Sequence, residues 1–445
     1  MSKRLFGTDG IRGVAGEFPM DARTAHAFGI ALGFWAKEHD PEPEVLIGMD
    51  TRESGPWLAE HVAAGLAQQG VRTRFAGLIT TPGVAYLTRS QHFVAGVMIS
   101  ASHNPYLDNG LKAFDHSGFK LPDEQEKIVE DHIFELLEKG FDEKPLAVHV
   151  DESLDQAYSA YLASLIHTKL DGLNLVIDCA HGAASHLAPA LFSSLGASLV
   201  AIGISPNGRN INLNAGALHV DALRERVLAE KADAGIAFDG DADRCIMVSR
   251  SGKIVDGDCV LLVAGKALLE AGKLNGSLVV STVMSNIGLE RAFAANGIQM
   301  LRTPVGDKYV LEEMVRCDAI LGGEQSGHVI FRDAATTGDG MLTALRVLEV
   351  VQQTGKDLDE LTADLKVYPQ KLINIRVKFK KPLAELLEVQ KEIRIAEEAF
   401  NGSGRVLVRF SGTEPLARVM VEGPTDEQVD HFAERIAGAL RAELG

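Results

Sequence analysis

The sequence lacks the features that mark several classes of protein. Its four cysteines are scattered over 445 residues without CxxC spacing, so neither a disulfide framework nor a cysteine-based zinc site is expected. It has no apolar run near the roughly 20 residues that a membrane-spanning helix requires. The first residues, MSKRLFGTDG, do not lead into the apolar core of a signal peptide. We therefore expect a soluble, cytoplasmic protein in a reducing compartment.

Positive charge is also scarce. Lysine and arginine total 44 against 61 aspartates and glutamates, which gives a formal net charge of −17. Such a field repels nucleic acid and anionic lipid, so we expect neither as a partner. A phosphorylated metabolite would be repelled as well, unless a locally basic pocket or a metal ion receives it.

The length and the strand–helix pattern predict several α/β domains. A chain of 445 residues is too long for one core, and buried strands alternate with helices, as in EVLIGMD followed by SGPWLAEHVAAGLAQQG. This alternation predicts mainly parallel sheets. Beyond Pro369 the pattern changes to a smaller α+β module. The expected domains are 1–152, 153–255, 256–368 and 369–445.

Four polar loops follow predicted strands, where open α/β sheets bind ligands. The first, SASHNP, follows FVAGVMI and is expected to expose Ser102 at a turn set by Asn104-Pro105. A turn that merely caps a helix is the alternative. The loop is not a GxSxG elbow, which disfavours acyl-transfer hydrolysis. Neighbouring residues of an extended chain point to opposite sides, so a dyad of Ser102 with His103 is not expected.

The second loop, IAFDGDADR, carries three alternating carboxylates. Asp239, Asp241 and Asp243 can converge on one side of a strand end, where like charges need a compensating cation. Oxygen ligands favour Mg²⁺ or Ca²⁺. Arg244 and Arg250 stand where an EF-hand needs glycine and glutamate, so that motif is excluded. A solvated acidic turn is the alternative.

The third loop, GGEQSGH, offers Glu324 and Ser326, a carboxylate and a hydroxyl suited to sugar hydroxyls or an amine. A plain glycine-rich turn is the alternative. The fourth, RFSGTEPLAR, is expected to bind a phosphate, and a hairpin with solvated arginines is the alternative. Its candidate anion ligands are Arg409, Ser411, Gly412, Thr413 and Arg418.

Six ordered segments together carry a resemblance that covers essentially the whole chain. FGTDGIRG, SASHNP, DGDADR, TPVGDKYV, GGEQSGH and RFSGTEP resemble the motifs of the α-D-phosphohexomutase superfamily. The resemblance implies an α/β protein with four domains, three of them related and a smaller C-terminal α+β domain, around a central cleft. The loop GEQSGH resembles the branch that acts on glucosamine phosphates, because Gln325 stands where mannose and glucose mutases typically have Met.

The resemblance also implies roles for individual residues. Ser102 would carry a phosphoryl group, and with Asp239, Asp241 and Asp243 it would hold one Mg²⁺ per subunit. Glu324 and Ser326 would contact the sugar, and the fourth loop would bind the distant phosphate. The remaining expected catalytic positions are Arg12, Lys112, His103, Arg244 and His328. TPVGDKYV departs from the hexose mutases, which often have a histidine near Asp307, so no histidine proton shuttle is carried over to this loop.

The expected reaction is interconversion of glucosamine 6-phosphate and glucosamine 1-phosphate through a phosphoserine and a 1,6-bisphosphate, which is both intermediate and activator. The partner would be a small sugar phosphate, and a homodimer is compatible with the resemblance. The product would feed amino-sugar nucleotide and cell-wall precursor synthesis. The alternatives are a mannose or glucose phosphate mutase, a Mg²⁺-dependent phosphatase and a catalytically silent sugar-phosphate binder.

Overall fold

The computed structural model describes residues 5–7, 9–410 and 415–445. The chain divides into two compact units, Met1–Val283 with Met300–Thr362 and Met284–Gln299 with Ala363–Gly445. The first unit contains two complete sheets and most of a third, and the second contains a smaller sheet. In the part of the chain that is described, no helix has both the length and the apolar character needed to cross a membrane.

The first sheet has six strands in the order β1-β2-β6-β5-β3-β4. Its strands are β1 (Phe6–Gly7), β2 (Gly10–Val14), β3 (Glu44–Met49), β4 (Arg72–Leu78), β5 (Ala95–Ile99) and β6 (Asp108–Asp115). Its helices are α1 (Ala22–His39), α2 (Gly55–Gln68), α3 (Thr81–Ser90) and α4 (Asp123–Lys139). Helices α1 and α2 pack closely because Gly29 and Gly65 lack side chains; a Cβ on Gly29 would lie 2.2 Å from the carbonyl oxygen of Val62.

The second sheet has five strands in the order β11-β10-β9-β7-β8. Its strands are β7 (Asn174–Asp178), β8 (Ser198–Ile202), β9 (Ala234–Phe238), β10 (Cys245–Ser249) and β11 (Ile254–Val255). Its helices are α5 (Ser153–Ser164), α6 (Leu187–Ser194) and α7 (Asp221–Glu230). Strands β9 and β10 are buried along their whole length, which places the loop between them inside the protein.

The third sheet has the order β13-β12-β14-β15. Its strands are β12 (Leu278–Thr282), β13 (Gln299–Thr303), β14 (Leu321–Gly323) and β15 (Val329–Phe331). The helices of this part of the chain are α8 (Gly257–Glu270), α9 (Ile287–Ala295), α10 (Asp307–Arg316), α11 (Gly340–Thr354) and α12 (Leu358–Leu361). Helix α9 belongs to the second compact unit.

The second unit contains an antiparallel sheet of three strands in the order β16-β18-β17. Its elements are β16 (Gln370–Arg376), α13 (Leu387–Phe400), β17 (Arg405–Phe410), β18 (Leu416–Glu422) and α14 (Asp426–Leu444). The two helices cover an apolar core that includes Phe400, Val419 and Ile436. This is the α+β module expected beyond Pro369.

The prediction of mainly parallel sheets is wrong. Strand β3 is parallel to β4 and β5, β7 is parallel to β8 and β9, and β12 is parallel to β14. One side of each sheet is antiparallel, because β5 pairs with β6, β9 with β10 and β14 with β15 in that sense. A short loop can return the chain only to an antiparallel neighbour. The same arrangement joins β17 to β18, so all four polar loops connect antiparallel strands.

Candidate active site

Ser102 lies in the loop between β5 and β6. Its φ of 52° is in the left-handed region, which residues other than glycine rarely adopt. The residue is only 2% exposed, so the expectation that Ser102 is exposed is wrong. Its Oγ donates a hydrogen bond to Oδ2 of Asp239 at 2.6 Å. The hydroxyl therefore points inward, at the loop between β9 and β10 that carries the three aspartates (residues 239–244), called the acidic loop below.

The three carboxylates of the acidic loop converge as their alternation predicts. Asp239, Asp241 and Asp243 are buried, and each offers one oxygen in a group whose members all lie within 4.8 Å of one another. The Oδ1 atoms of Asp241 and Asp243 are buried and accept no hydrogen bond from the described residues. Buried acceptors are normally satisfied, and hard oxygen donors suit Mg²⁺. The residues present therefore fit a divalent cation.

The carboxylates of this trio do not share one electrostatic environment. Burial raises the pKa of Asp239 and of Asp243, and the neighbouring carboxylates raise both pKa values further. Burial would also raise the pKa of Asp241, but Lys112 and a hydrogen bond from Thr81 outweigh it and lower that pKa. One carboxylate is thus held ionised by the protein, whereas the other two resist ionisation without an added cation.

Lys112 projects from β6 to the trio. Its Nζ lies 2.9 Å from Oδ2 of Asp241, 3.1 Å from Oδ2 of Asp9 and 3.8 Å from Oδ2 of Asp243. Burial alone would lower the pKa of Lys112, but these carboxylates outweigh burial and raise it. The ammonium group is therefore held in its charged form as a fixed positive charge, and it cannot serve as a base in this environment.

Two arginines add positive charge near the trio, Arg12 on β2 and Arg244 at the end of the acidic loop itself. Arg12 forms an ion pair with Asp9, and its Nη1 lies 3.4 Å from a backbone carbonyl oxygen of the serine loop. The backbone N–H of Arg244 donates to Oδ1 of Asp239 at 3.2 Å, and its Nε lies 4.0 Å from Oδ1 of Asp243. Fixed positive charge thus lies beside the serine loop and on the acidic loop.

The orientation of His103 differs from the prediction. Its Nδ1 lies 3.4 Å from Oγ of Ser102, whereas an extended chain would direct the two side chains to opposite sides. The left-handed backbone at Ser102 is the reason, because the chain turns instead of extending. Burial, followed by repulsion from Arg244 and Arg12, lowers the pKa of His103 to about 4, so the imidazole is neutral at neutral pH.

The third loop joins β14 to β15 and contacts the return strand of the acidic loop. The backbone N–H of Cys245 donates to the carbonyl oxygen of Gly327 at 3.0 Å. Oε1 of Glu324 accepts a hydrogen bond from the N–H of Gly306 at 3.0 Å, and Ser326 is exposed. A carboxylate and an accessible hydroxyl are therefore presented on a fixed backbone.

His328 is buried at the end of the same loop. Its Nε2 lies 3.2 Å from the N–H of Gly338, which donates to it, and 3.8 Å from Oδ2 of Asp307. Oδ2 of Asp307 also accepts a hydrogen bond from Nζ of Lys120 at 2.6 Å.

Sequence reasoning missed Asp9 as a functional candidate. Its carboxylate contacts Lys112 and Lys120, and Lys120 continues to Asp307, so alternating charges run from Asp241 to α10. Burial opposes ionisation of Asp9, but the two lysines and Arg12 hold its pKa well below the usual range. A carboxylate beside an arginine in the glycine-rich FGTDGIRG was the available signal.

The fourth loop is described only in part. Ser411, Gly412 and Thr413 lie outside the described residues, so their expected role is untouched by the structure. Arg409 on β17 and Arg418 on β18 are direct cross-strand partners. Burial lowers the pKa of Arg409, and the charge of Arg418 lowers it further. Like charges in this register destabilise a sheet, and a bound anion would relieve the repulsion.

Four family descriptions match the chain in order. Residues 3–139, 154–252 and 256–368 match phosphoglucomutase/phosphomannomutase α/β/α domains I, II and III, and residues 372–439 match the C-terminal domain of the same family. The prediction of three related α/β domains and a smaller C-terminal domain is therefore confirmed.

Individual proteins resemble the chain over its full length. It is 64% identical over 445 residues to a phosphoglucosamine mutase of Solibacter usitatus, with 100% of both chains covered. A phosphoglucomutase/phosphomannomutase family structure from Burkholderia thailandensis has a TM-score of 0.81 at 24% identity, with 98% of this chain and 97% of that chain covered. An Aspergillus fumigatus N-acetylphosphoglucosamine mutase in complex with GlcNAc-6P and magnesium has a TM-score of 0.68 at 18% identity, with 99% and 96% covered.

Proposed function

The chain belongs to the phosphoglucomutase/phosphomannomutase family, and on that premise we propose that it interconverts glucosamine 6-phosphate and glucosamine 1-phosphate. It is an isomerase of the phosphohexomutase type. The full-length identity to a phosphoglucosamine mutase supports the choice of substrate. The product would serve amino-sugar nucleotide and cell-wall precursor synthesis. A cytoplasmic location and a homodimeric assembly stay predictions from the sequence and the resemblance.

One observation carries the proposal. Oγ of Ser102 lies 2.6 Å from Oδ2 of Asp239, within a cluster of three buried carboxylates and beside the ammonium group of Lys112. A hydroxyl in this place can hold a phosphoryl group between a cation site and fixed positive charge. Phosphoryl transfer depends mainly on such positioning and charge stabilisation.

Magnesium is the proposed cofactor, one ion per chain. Asp239, Asp241 and Asp243 would hold it, together with the phosphate on Ser102. When bound, it would neutralise charge on the transferring phosphoryl group. The Aspergillus mutase is in complex with magnesium, and the unsatisfied carboxylate oxygens of this chain support the same ion here.

The proposed reaction begins with phosphorylated Ser102. The bond between phosphorus and Oγ breaks while O1 of glucosamine 6-phosphate bonds to phosphorus, which gives glucosamine 1,6-bisphosphate. O1 loses its proton, and the serine oxygen gains one. His103, His328 and Lys112 are the candidates for these two proton transfers, on position alone. Arg12 and Arg244 add fixed positive charge for the transferring group.

The second half of the reaction reverses the first at the other end of the sugar. The bisphosphate turns, its 6-phosphoryl group returns to Oγ of Ser102, and glucosamine 1-phosphate leaves. Glu324 and Ser326 would hold the sugar in both orientations, and the Arg409 loop would bind whichever phosphate is not reacting. Water must be excluded throughout, because otherwise the phosphoserine would hydrolyse before the first transfer or the bisphosphate would hydrolyse during the turn.

The test is a product assay with the purified full chain. Incubated with Mg²⁺, glucosamine 1,6-bisphosphate as activator and glucosamine 6-phosphate, it should form glucosamine 1-phosphate, and intact mass should show one phosphoryl group on Ser102. Glucosamine phosphate should turn over faster than mannose and glucose phosphates.

Three results would contradict the proposal. Faster turnover of mannose or glucose phosphate would assign the chain to a hexose phosphate mutase. Inorganic phosphate as the main product would indicate a phosphatase. A chain without phosphoserine after treatment with the bisphosphate, and without turnover of any sugar phosphate, would be a binding protein.

A further inference from the structure

The serine loop, residues 100–108, is contacted through its backbone by a buried arginine that has no role in the proposed mechanism. Arg52 follows β3, and its side chain is fully buried. Its Nε donates to Oδ2 of Asp50 at 2.9 Å. Its two terminal nitrogens donate to four backbone carbonyl oxygens of the loop, those of Ser102, Asn104, Pro105 and Asp108. We infer that Arg52 is a positioning residue that fixes the loop on which Ser102 is phosphorylated.

The hydrogen bonds of Arg52 indicate a positioning role and not direct contact with the substrate. A guanidinium group has five N–H donors, and these contacts use one donor on Nε and two on each terminal nitrogen. Because the group is buried and its donors are engaged, it has none left for a phosphate. Arg52 therefore acts through the backbone of the loop.

Asp50 fixes the backbone amide of Ser102 indirectly, through the side chain of Ser100. Its Oδ2 accepts from Oγ of Ser100 at 2.6 Å, and that Oγ accepts from the backbone N–H of Ser102 at 2.9 Å. The backbone of Ser102 is thus fixed at its carbonyl by Arg52 and at its amide through Ser100. The oppositely charged partner also offsets part of the cost of burying the guanidinium.

The second sheet's domain contributes one further donor. Nδ2 of Asn212 donates to the carbonyl oxygen of Ser102 at 2.9 Å and lies 3.3 Å from that of Asn104. The Ser102 oxygen therefore receives two donors, which matches its two lone pairs. A left-handed backbone at a serine persists only where its surroundings determine it strongly, and these contacts supply that determination.

The functional consequence rests on the proposed phosphoserine mechanism. The serine must give up a phosphoryl group and take one back at the same point, so Oγ must keep its place beside Asp239 in both states. Displacement of a reacting group by about 1 Å can cost about 100-fold in rate. The carbonyl contacts of Arg52 do not involve Oγ, so they can persist when the side chain is phosphorylated.

The variant Arg52→Lys tests the inference. Lysine keeps the charge but has three donors instead of five, so it cannot serve four carbonyls and Asp50 together. We expect kcat to fall by at least about 100-fold while KM for glucosamine 6-phosphate stays within about threefold. Amide hydrogen exchange should accelerate in residues 101–108.

Arg74→Lys is the matched control. Arg74 lies on β4 in the same sheet and donates through two nitrogens to Asp151, away from the serine loop. Its kcat and the exchange of residues 101–108 should equal those of the wild type. If Arg52→Lys does not fold, Asp50→Asn/Arg52→Met removes both buried charges together and should show the same loss of kcat and loop protection.

The outcomes separate this inference from the proposed function. Wild-type kcat in Arg52→Lys, or lost activity with unchanged exchange in residues 101–108, would overturn the positioning role. A wild-type chain that fails to isomerise glucosamine phosphate would overturn the proposed function, and the exchange measurement would still test whether Arg52 holds the loop.

Discussion

Around Ser102, cations lie against carboxylates, whereas in the C-terminal sheet one arginine lies opposite another. Lys112 contacts Asp241 and Asp9 at about hydrogen-bond distance. Arg409 and Arg418 are direct cross-strand neighbours, and their repulsion contributes to the lowered pKa of Arg409. In the first region the protein's own cations lie against carboxylates of a trio that also fits a divalent cation, whereas in the second region two arginines face each other in direct register.

This difference fits the two proposed functions, phosphoryl transfer in the first region and phosphate binding in the second. A site that transfers phosphoryl groups gains rate from groups already held in their final geometry, because nothing then has to reorganise during the reaction. A site that holds a phosphate of either end of the sugar gains affinity when the free protein is electrostatically unfavourable and the ligand relieves the strain. Substitutions in the first region should therefore lower kcat, and those in the second should raise KM.

Ser102→Ala should have the largest effect, because it removes the group that carries phosphate between substrates. We expect turnover to fall by at least about 10⁴-fold and the phosphoryl group to disappear from the intact mass. Ser117→Ala is the control, since the hydroxyl of Ser117 binds Asp115 in the turn after β6. Substantial mutase activity in Ser102→Ala would remove the serine from the mechanism.

Asp241→Asn should have the next largest effect. The change removes the carboxylate that is held ionised and the ion-pair partner of Lys112. We expect the rate to fall by about 100-fold or more, together with the affinity for Mg²⁺ measured by titration of activity and by calorimetry.

Asp115→Asn is the matched control for Asp241→Asn. Asp115 ends β6, the strand that carries Lys112, and among the described residues its carboxylate accepts hydrogen bonds from Ser117 in the turn that follows. Wild-type Mg²⁺ titration in Asp241→Asn would exclude this aspartate as a ligand.

Arg409→Ala should act on binding alone. Loss of a charge-assisted contact to phosphate costs about 1.5–3 kcal/mol, so KM should rise about 10- to 100-fold with a nearly constant kcat. Relief of the repulsion with Arg418 should at the same time raise the melting temperature of the ligand-free protein slightly. Arg376→Ala, at an exposed arginine of β16 in the same sheet, should change neither quantity. An unchanged KM in Arg409→Ala would contradict the phosphate clamp.

Local patterns were enough to find the centre of the site. The alternation of Asp239, Asp241 and Asp243 at the end of an apolar strand predicts convergence, and the structure has it. Ser102 was recognisable from its polar loop, but its burial and its proximity to His103 were not. Both depend on a left-handed backbone, which long-range contacts impose and no local pattern encodes.

The supporting residues could not be found in this way. Asp9, Arg52 and Asn212 act on partners far along the chain: Asn212 reaches the carbonyl of Ser102 across 110 positions. No periodicity marks such contacts. The antiparallel sheet edges were missed for a related reason, because strand–helix alternation reports connections between strands and does not report which strand returns beside the last one.

Asp339→Asn should have the smallest effect on turnover. It tests how burial alone acts on a carboxyl whose hydrogen-bond partners are neutral, in contrast to the charged surroundings of Ser102. Asp339 is buried and accepts from Oη of Tyr158 at 2.7 Å and from the N–H of Leu342 at 2.9 Å. Burial raises its pKa to about 6, although these hydrogen bonds oppose the shift. The folded state holds the proton of Asp339 more tightly than the unfolded state. The stability that this protonation gives the folded protein is therefore fully present below about pH 4 and is lost as the pH rises to about 6.

The amide of Asp339→Asn cannot ionise, so the stability of the wild type relative to this variant should decrease by about 2 kcal/mol between pH 4 and pH 7. Thermal unfolding of both proteins across that range measures the difference, and acid effects common to both cancel. Asp21→Asn is the control, because Asp21 caps α1 as Asp339 caps α11, by accepting from the backbone N–H of Thr24. A pH-independent difference between wild type and Asp339→Asn would mean that a buried carboxyl without a cation stays ionised here, and the charge balance around Ser102 would then need another explanation than burial.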